Sequence, residues 1–305
     1  MTPRDSISNV LLVAALAIGV PTGASADTTS NAPVTAEEAA YRVNVAGRQR
    51  MLSQRMAKAA CLASTGIATE THLSQLDAAY DLFQRSDAAL RVGDPDFNLP
   101  AERYQSVLTA LSEIDGPWRA YGRMIDTTIA DGSIEEERLM VLDAASVEVL
   151  DRMNAAVNRT ARAYGDAGPR VPLALTVTVD IAGRQRMLTQ RAVKEVCLMQ
   201  VADNPQDYAD RLTRTVEIFD LSLAALQNGL PDAGVLAAPN EEIAGQLAEV
   251  DRQWQAVHGI FDRAAAGEVL DADTLADLAD RVEPLLAAMH AAVGMYEGVD
   301  ATTGS

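Results

Sequence analysis

The chain has 305 residues, of which 48% are hydrophobic and only 4% aromatic, which is enough apolar material for two helical domains with aliphatic cores. Its 43 acidic residues outnumber its 25 basic residues, so the formal net charge is −18. A charge of that sign disfavours nucleic acid and anionic membrane surfaces as partners.

The first 26 residues have the three parts of a secretory signal. Arg4 precedes an apolar run over residues 10–20, and the small-residue site Ala24-Ser25-Ala26 follows it. We therefore expect cleavage after Ala26 and export to the periplasm. The run is too short to span a membrane as a helix, and no later stretch reaches the roughly 18 to 20 apolar residues that spanning requires. The mature protein is accordingly expected to have no transmembrane segment.

Residues 27–35 are rich in Thr, Ser, Asn and Pro and are expected to form a flexible lead. Thr35 and Glu38 make a capping box that predicts the start of a first helix, over residues 36–64. Three more helices are predicted over residues 71–92, 101–130 and 134–164, and Gly116-Pro117 is expected to kink the third. Residues 36–164 thus form a first four-helix repeat.

Residues 165–172 contain two Gly and two Pro, which is typical of a linker. A second set of helices is predicted over residues 173–201, 205–228, 240–266 and 273–296. Pro284 is placed to bend the last of these helices. The second repeat therefore covers residues 173–297, and residues 298–305 are expected to be a disordered tail. Short connections favour up-and-down bundles whose neighbouring helices are antiparallel.

One ten-residue segment, Ala46–Arg55, returns as Ala182–Arg191 with a single change, from Ser53 to Thr189. The same offset of 136 residues carries other residues of the first repeat onto identical ones in the second: Lys58 onto Lys194, Cys61 onto Cys197, Trp118 onto Trp254 and Met153 onto Met289. An offset held over that length indicates a tandem duplication. The predicted fold is therefore all-α, with two tandem antiparallel four-helix bundles that form a pseudo-dimer.

The repeated segment consists mainly of good helix formers. Steps of four and three residues join one stripe of the first copy: Val43, Gly47, Arg50, Gln54, Ala57 and Cys61. The matching stripe of the second copy is Val179, Gly183, Arg186, Gln190, Val193 and Cys197. A charged side chain on a stripe of small and apolar residues is costly unless a partner satisfies it. Arg50 and Arg186 are therefore the candidate centre of a binding site.

The segment resembles the type IV pilus methyl-accepting chemotaxis transducer N-terminal (PilJ-like) family, related to the periplasmic domains of nitrate/nitrite sensor kinases. The matching residues are Asn44-Val45-Ala46-Gly47, Arg50-Met51 and Ser53-Gln54-Arg55. The resemblance implies a four-helix bundle with this segment on its first helix, two such helices meeting across a dimer, and nitrate held by the Arg before the Met. It assigns that role to Arg50 and Arg186. The second copy departs from the pattern at Asp180, where the first has Asn44.

The leading hypothesis is an exported sensor protein for chemotaxis or type IV pili that binds nitrate or nitrite between the two motif helices. An oxyanion between two guanidinium groups gains charge-assisted hydrogen bonds and relieves their repulsion. Gly47 and Gly183 would let the two backbones approach. The proposed ligand-binding set is Arg50, Arg186, Gly47, Gly183, Gln54 and Gln190.

The alternative hypothesis is a helical interaction module without a small ligand, which docks to a membrane chemoreceptor, a sensor kinase or a pilus component. A haem or metal bundle is a weaker third idea, because the chain's three His residues lack the spacing of a metal site: His72, His258 and His290. We therefore expect no metal and no cofactor. No phosphate-binding loop or nucleophile motif is present in the sequence, so an enzyme is not expected.

Cys61 and Cys197 are the only cysteines, they occupy equivalent positions, and an exported protein meets an oxidising compartment. Each lies eleven residues beyond its motif Arg, which returns to nearly the same helix face roughly 16 Å further along. If the motif helices run side by side in parallel, the two cysteines should oppose each other and form a disulfide. Two separate buried thiols are the alternative.

Overall fold

The computed structural model describes residues 34–165 and 173–299, and within these ranges it confirms the all-α fold. The predicted signal sequence, most of the flexible lead, the linker after residue 165 and the tail from residue 300 lie outside the described residues. None of the described helices combines the length and the apolar character needed to cross a bilayer.

The first repeat consists of five helices: α1 (Ala36–Ser64), α2 (Thr69–Val92), α3 (Gln105–Ser112), α4 (Asp115–Asp131) and α5 (Glu136–Gly165). Helix α1 begins where predicted, and the Thr35 hydroxyl accepts a hydrogen bond from the backbone N–H of Glu38 at 3.0 Å. The prediction of one kinked third helix is wrong, because the chain breaks between α3 and α4. Pro117 lies in the first turn of α4, where its missing N–H would have no helical partner.

The second repeat consists of four helices: α6 (Leu173–Met199), α7 (Pro205–Asn228), α8 (Glu241–Ala265) and α9 (Ala272–Glu297). The third helix of this repeat, α8, is continuous. At the positions equivalent to Gly116 and Pro117 it has Arg252 and Gln253, which are good helix formers with a backbone N–H to donate. Pro284 lies inside α9 without ending it.

Helices α1 and α6 form the central pair of the molecule and pack along each other. Helix α1 also packs against α2 and α5 of its own bundle, and α6 packs against α7 and α9. Each of the two also contacts the last helix of the other repeat. Most residues of α1 are buried on every side, as expected for a helix enclosed by others.

The duplication extends into the hydrophobic core, which is continuous across the two repeats. Phe83 stacks on Trp118 with ring centroids 3.9 Å apart, and the equivalent Phe219 stacks on Trp254 at 3.8 Å. Offset aromatic stacking of this kind adds to the burial of apolar surface. The same aromatic pair therefore joins α2 to α4 in the first repeat and α7 to α8 in the second.

The structure joins Cys61 of α1 to Cys197 of α6 through a disulfide, with the Cα atoms 6.2 Å apart. Both cysteines are fully buried. Because equivalent residues face each other here, and also at the two motif arginines described below, α1 and α6 run in the same direction about a pseudo-twofold axis.

Candidate functional site

The two motif arginines meet at the contact between α1 and α6. Arg50 and Arg186 are both fully buried. A Cβ atom added at Gly47 would lie 3.1 Å from Nη2 of Arg50 and 4.0 Å from Nη2 of Arg186. One added at Gly183 would lie 3.2 Å from Nη2 of Arg186 and 3.9 Å from Nη2 of Arg50. The pseudo-twofold axis therefore passes between the two guanidinium groups, and the glycines leave the space that they occupy.

Two further equivalent residues bond to the arginines crosswise between the helices. Nη2 of Arg50 donates to Oδ1 of Asp180 at 2.5 Å, and Nη2 of Arg186 donates to Oδ1 of Asn44 at 2.6 Å. The geometry is the same on both sides, but only one side supplies a carboxylate. We call this set of residues the arginine junction: Asn44, Gly47, Arg50, Asp180, Gly183 and Arg186.

The last helix of each bundle completes the surroundings of its own arginine. Nη1 of Arg50 donates to Oδ1 of Asn154 at 3.4 Å, and Nη1 of Arg186 donates to Nδ1 of His290 at 3.0 Å. Because a guanidinium can only donate, Nδ1 of His290 accepts and the ring is neutral with its proton on Nε2. His290 is an exposed residue at the position equivalent to Asn154. Its equivalence to Asn154 was visible in the repeat, but the contact with Arg186 was not.

The partners of Arg186 among the described residues are all neutral. They are Asn44, His290 and, at 3.4 Å, the carbonyl oxygen of Gly183. Burial, together with the nearby Arg48 and Arg50, lowers the pKa of Arg186 to about 9, while Glu297 opposes them. The carboxylate of Glu297 accepts a hydrogen bond from Nδ2 of Asn44, so an amide separates it from the guanidinium.

Further charged side chains lie immediately beside the arginine junction. Arg184 donates to Oδ2 of Asp180 at 3.3 Å, and Arg48 lies close enough to Glu297 for that carboxylate to raise its pKa, although burial lowers the pKa of Arg48 overall. Nε of Arg50 is buried and has no hydrogen-bond partner within the described part of the chain. Glu37 also acts electrostatically on Glu297, so four guanidinium groups lie among three carboxylates. Among the described residues, only Asp180 bonds a carboxylate oxygen directly to one of the two motif arginines, and that arginine is Arg50.

The two predicted glutamines are engaged about one helical turn beyond the arginines. Oε1 of Gln54 accepts from Nζ of Lys194 at 2.7 Å, and its Nε2 donates to the carbonyl oxygen of Ser146 at 3.1 Å. Oε1 of Gln190 accepts from Arg55 at 3.5 Å, and its buried Nε2 lacks a partner in the described ranges. Both glutamines therefore belong to a neighbouring layer that contains the repeated lysines.

The lysine layer joins the repeats through ion pairs in which both lysines are buried. Lys58 of α1 lies 2.8 Å from Glu283 of α9, and Lys194 of α6 lies 2.6 Å from Asp143 of α5. Arg55 also binds Glu283, at 2.8 Å. Burial lowers the pKa of Lys58 to about 8, with Glu283 opposing. Although burial alone would raise it, Lys194 and Arg211 hold the pKa of Asp143 well below its ordinary value.

Sequence reasoning missed this layer because its acids are not repeated. The position equivalent to Asp143 is Ala279, and the position equivalent to Glu283 is Val147. The offset that identified the lysines therefore gave no signal for their partners. The bond from Arg55 to Glu283 was not visible in the sequence for the same reason.

A cleft of about 530 Å³ opens beside the junction and is lined by Glu297 together with residues from the start of α1 and the loop after α2: Thr35, Glu37, Glu38, Tyr41, Asn98 and Pro100. Glu297 lines the cleft and also accepts a hydrogen bond from Asn44. It therefore connects the cleft, through Asn44, to the guanidinium of Arg186. Among the residues that the structure describes, no group of three or more His, Cys, Asp or Glu side chains is placed to hold a metal ion.

Comparison with known proteins supports the resemblance seen in the motif. The family model for the N-terminal region of type IV pili methyl-accepting chemotaxis transducers matches residues 35–144 and again residues 174–289. A search of curated proteins finds no match. The two matched stretches fall on the two repeats and cover well over half of the chain. The protein therefore belongs to the type IV pili methyl-accepting chemotaxis transducer N-terminal family, as two tandem copies of its signalling sensor domain.

Proposed function

We propose that the protein is an exported, periplasmic sensor module of chemotaxis or pilus signalling, and that it binds one small monovalent oxyanion, nitrate or nitrite, at the arginine junction. Membership of the transducer family supports the sensor role. The observation that carries the ligand assignment is Arg186, a fully buried guanidinium whose described hydrogen-bond partners are all neutral.

The energetics of burial favour an anion at this position. Taking a charged group out of water costs several kcal/mol unless an opposite charge with good geometry compensates it. A planar oxyanion matches the fork of a guanidinium and forms charge-assisted hydrogen bonds, which are about twice as strong as neutral ones. Each guanidinium lies close against the glycine of its own helix, 3.1 Å and 3.2 Å from an added Cβ, so we expect only a small ion to be accommodated between the helices. Nitrate and nitrite meet both requirements.

The signal would pass to a partner through the bundle surface. We propose a membrane chemoreceptor or a sensor kinase as that partner, because the family is that of transducer sensor domains. An anion bound between α1 and α6 touches both repeats, so its arrival can change how the two bundles pack. It would thereby alter the surface that a partner contacts.

One observation favours the alternative of a docking module without a small ligand. The carboxylate of Asp180 already accepts a hydrogen bond from Nη2 of Arg50 at 2.5 Å. Half of the junction is therefore held together without any ion from solution. In this alternative the bundle serves only as a surface for a receptor, a kinase or a pilus component.

Calorimetric titration of nitrate, nitrite, chloride and sulfate into the purified, oxidised protein distinguishes the two functions. The proposed function predicts saturable binding of nitrate or nitrite with one ion per chain, and no comparable binding of sulfate. Arg186→Ala should abolish that binding. Arg214→Ala, which removes an exposed arginine of α7, is the matched control and should bind as the wild type does. No binding of any of the four anions would favour the docking module.

A further inference from the structure

We propose that Asp180 acts as a built-in anion that closes the Arg50 half of the junction, so that an anion from solution binds only at the Arg186 half. This inference rests on the proposed function, since it concerns the same site. It identifies Asp180 and Asn44 as the residues that decide which arginine receives the ligand. It also makes the site asymmetric, although the two helices that form it are repeats.

The contacts of Asp180 are those that a bound oxyanion would make. Its Oδ1 accepts from Arg50 at 2.5 Å and its Oδ2 accepts from Arg184 at 3.3 Å. The residue is only 6% exposed. A carboxylate, like nitrate, is planar and spreads one negative charge over its oxygens, so it satisfies a guanidinium in the same way. Arg50 therefore already has its counter-ion.

The equivalent position on the other side has the same shape without the charge. Asn44 places Oδ1 at 2.6 Å from Nη2 of Arg186, and its Nδ2 donates to Glu297. Asparagine and aspartate are nearly the same size, so the difference between the two halves is electrostatic. An incoming anion therefore gains most at Arg186, where no carboxylate oxygen bonds the guanidinium directly.

Asp180 also opposes the ligand across the axis. A Cβ atom added at Gly47 would lie within 4.0 Å of the guanidinium groups of both Arg50 and Arg186, so the two halves of the junction are neighbours. A fixed carboxylate on Arg50 repels a second anion nearby, and burial weakens the screening of that repulsion. Asp180 should therefore hold the affinity of the native protein below the affinity that two open arginines would give.

The test removes the negative charge at position 180 and keeps the size and shape of the side chain. Asp180→Asn gives the second copy the residue of the first and opens both halves. We expect it to bind nitrate at least about tenfold more tightly than the wild type in calorimetry, because it removes the buried like charge. Nitrate should also raise the thermal unfolding midpoint of Asp180→Asn by more than it raises that of the wild type. Circular dichroism confirms that the variant folds.

The reciprocal variant closes the open half. Asn44→Asp would set a second carboxylate against Glu297, so it is made together with Glu297→Gln and compared with Glu297→Gln alone. We expect the double variant to bind nitrate at least about tenfold more weakly than Glu297→Gln, because Arg186 then has its own internal anion. Equal affinity of these two variants would contradict the inference.

The outcomes separate the inference from the proposed function. Nitrate binding by the wild type without tighter binding by Asp180→Asn overturns the inference and leaves the proposed function intact. Binding by Asp180→Asn together with no binding by the wild type overturns the proposed function for the native protein, and it also overturns the part of the inference that leaves the Arg186 half open. No binding by either protein overturns both.

Discussion

The disulfide between the two motif helices gives the clearest stability prediction. Cys61 and Cys197 are separated by 136 residues in sequence and lie on the central pair α1 and α6. The bond reduces the conformational entropy of the unfolded chain. For a loop of this length the chain-entropy relation gives a stabilisation of about 5 kcal/mol. Measured effects are commonly smaller, so reduction should lower the free energy of unfolding by about 3 to 5 kcal/mol.

Urea unfolding followed by far-UV circular dichroism measures this change with and without the reductant TCEP. Alkylation and mass spectrometry report the state of both thiols in the same samples. The control is the double variant Cys61→Ala/Cys197→Ala, whose unfolding midpoint should not respond to TCEP. The reasoning is refuted if both thiols become alkylatable on reduction while the unfolding midpoint of the wild type stays the same. Two alkylatable thiols in the native, unreduced protein would refute the bond itself.

Two further predictions concern the junction. Burial, Arg186 and Arg48 lower the pKa of His290 in the folded protein below its ordinary value of 6.5. The stability that neutral His290 contributes is therefore fully present above pH 6.5, and it is lost as the pH falls through the pKa of the folded state. The free energy of unfolding of the wild type, measured in urea from pH 5 to 8, should therefore fall relative to His290→Asn on the acid side. A constant difference between the two proteins would contradict this. Gly183→Ala should weaken nitrate binding at least about tenfold, because the new Cβ would lie 3.2 Å from Nη2 of Arg186 and displace it. The control is Gly259→Ala in α8, where an added Cβ has no heavy atom within 4 Å. It should leave nitrate binding unchanged and raise the free energy of unfolding by about 0.5 to 1 kcal/mol. Equal nitrate affinity in the two alanine variants would show that Gly183 is not needed at the junction.

The fold was largely predictable because its signals are local or repeated. The Thr35 cap marked the start of α1, which the structure confirms, and the constant offset marked the second copy, which the family comparison confirms. The break between α3 and α4 was not predicted, because Pro117 was assumed to lie inside one helix. Proline also fits the first turn of a new helix, and sequence alone does not choose between the two.

The candidate site was predictable only where the two copies agree. Arg50 and Arg186 were identified by their shared position on a stripe of small residues, and the structure places them together. The acids of the lysine layer and the role of His290 depend on contacts between helices that are distant in sequence. Asp180 was visible as a departure from the motif, but its bond to Arg50 follows only from the packing of α6 on α1.

The central claim is that an anion binds at the contact between the two motif helices. A crystal structure of the oxidised protein grown with a saturating concentration of nitrate tests it most directly. We predict a planar ion within hydrogen-bond distance of the Arg186 guanidinium, with Asp180 still bound to Arg50. A well-ordered junction with no ion at Arg186, or nitrate found only at the protein surface, would contradict the account.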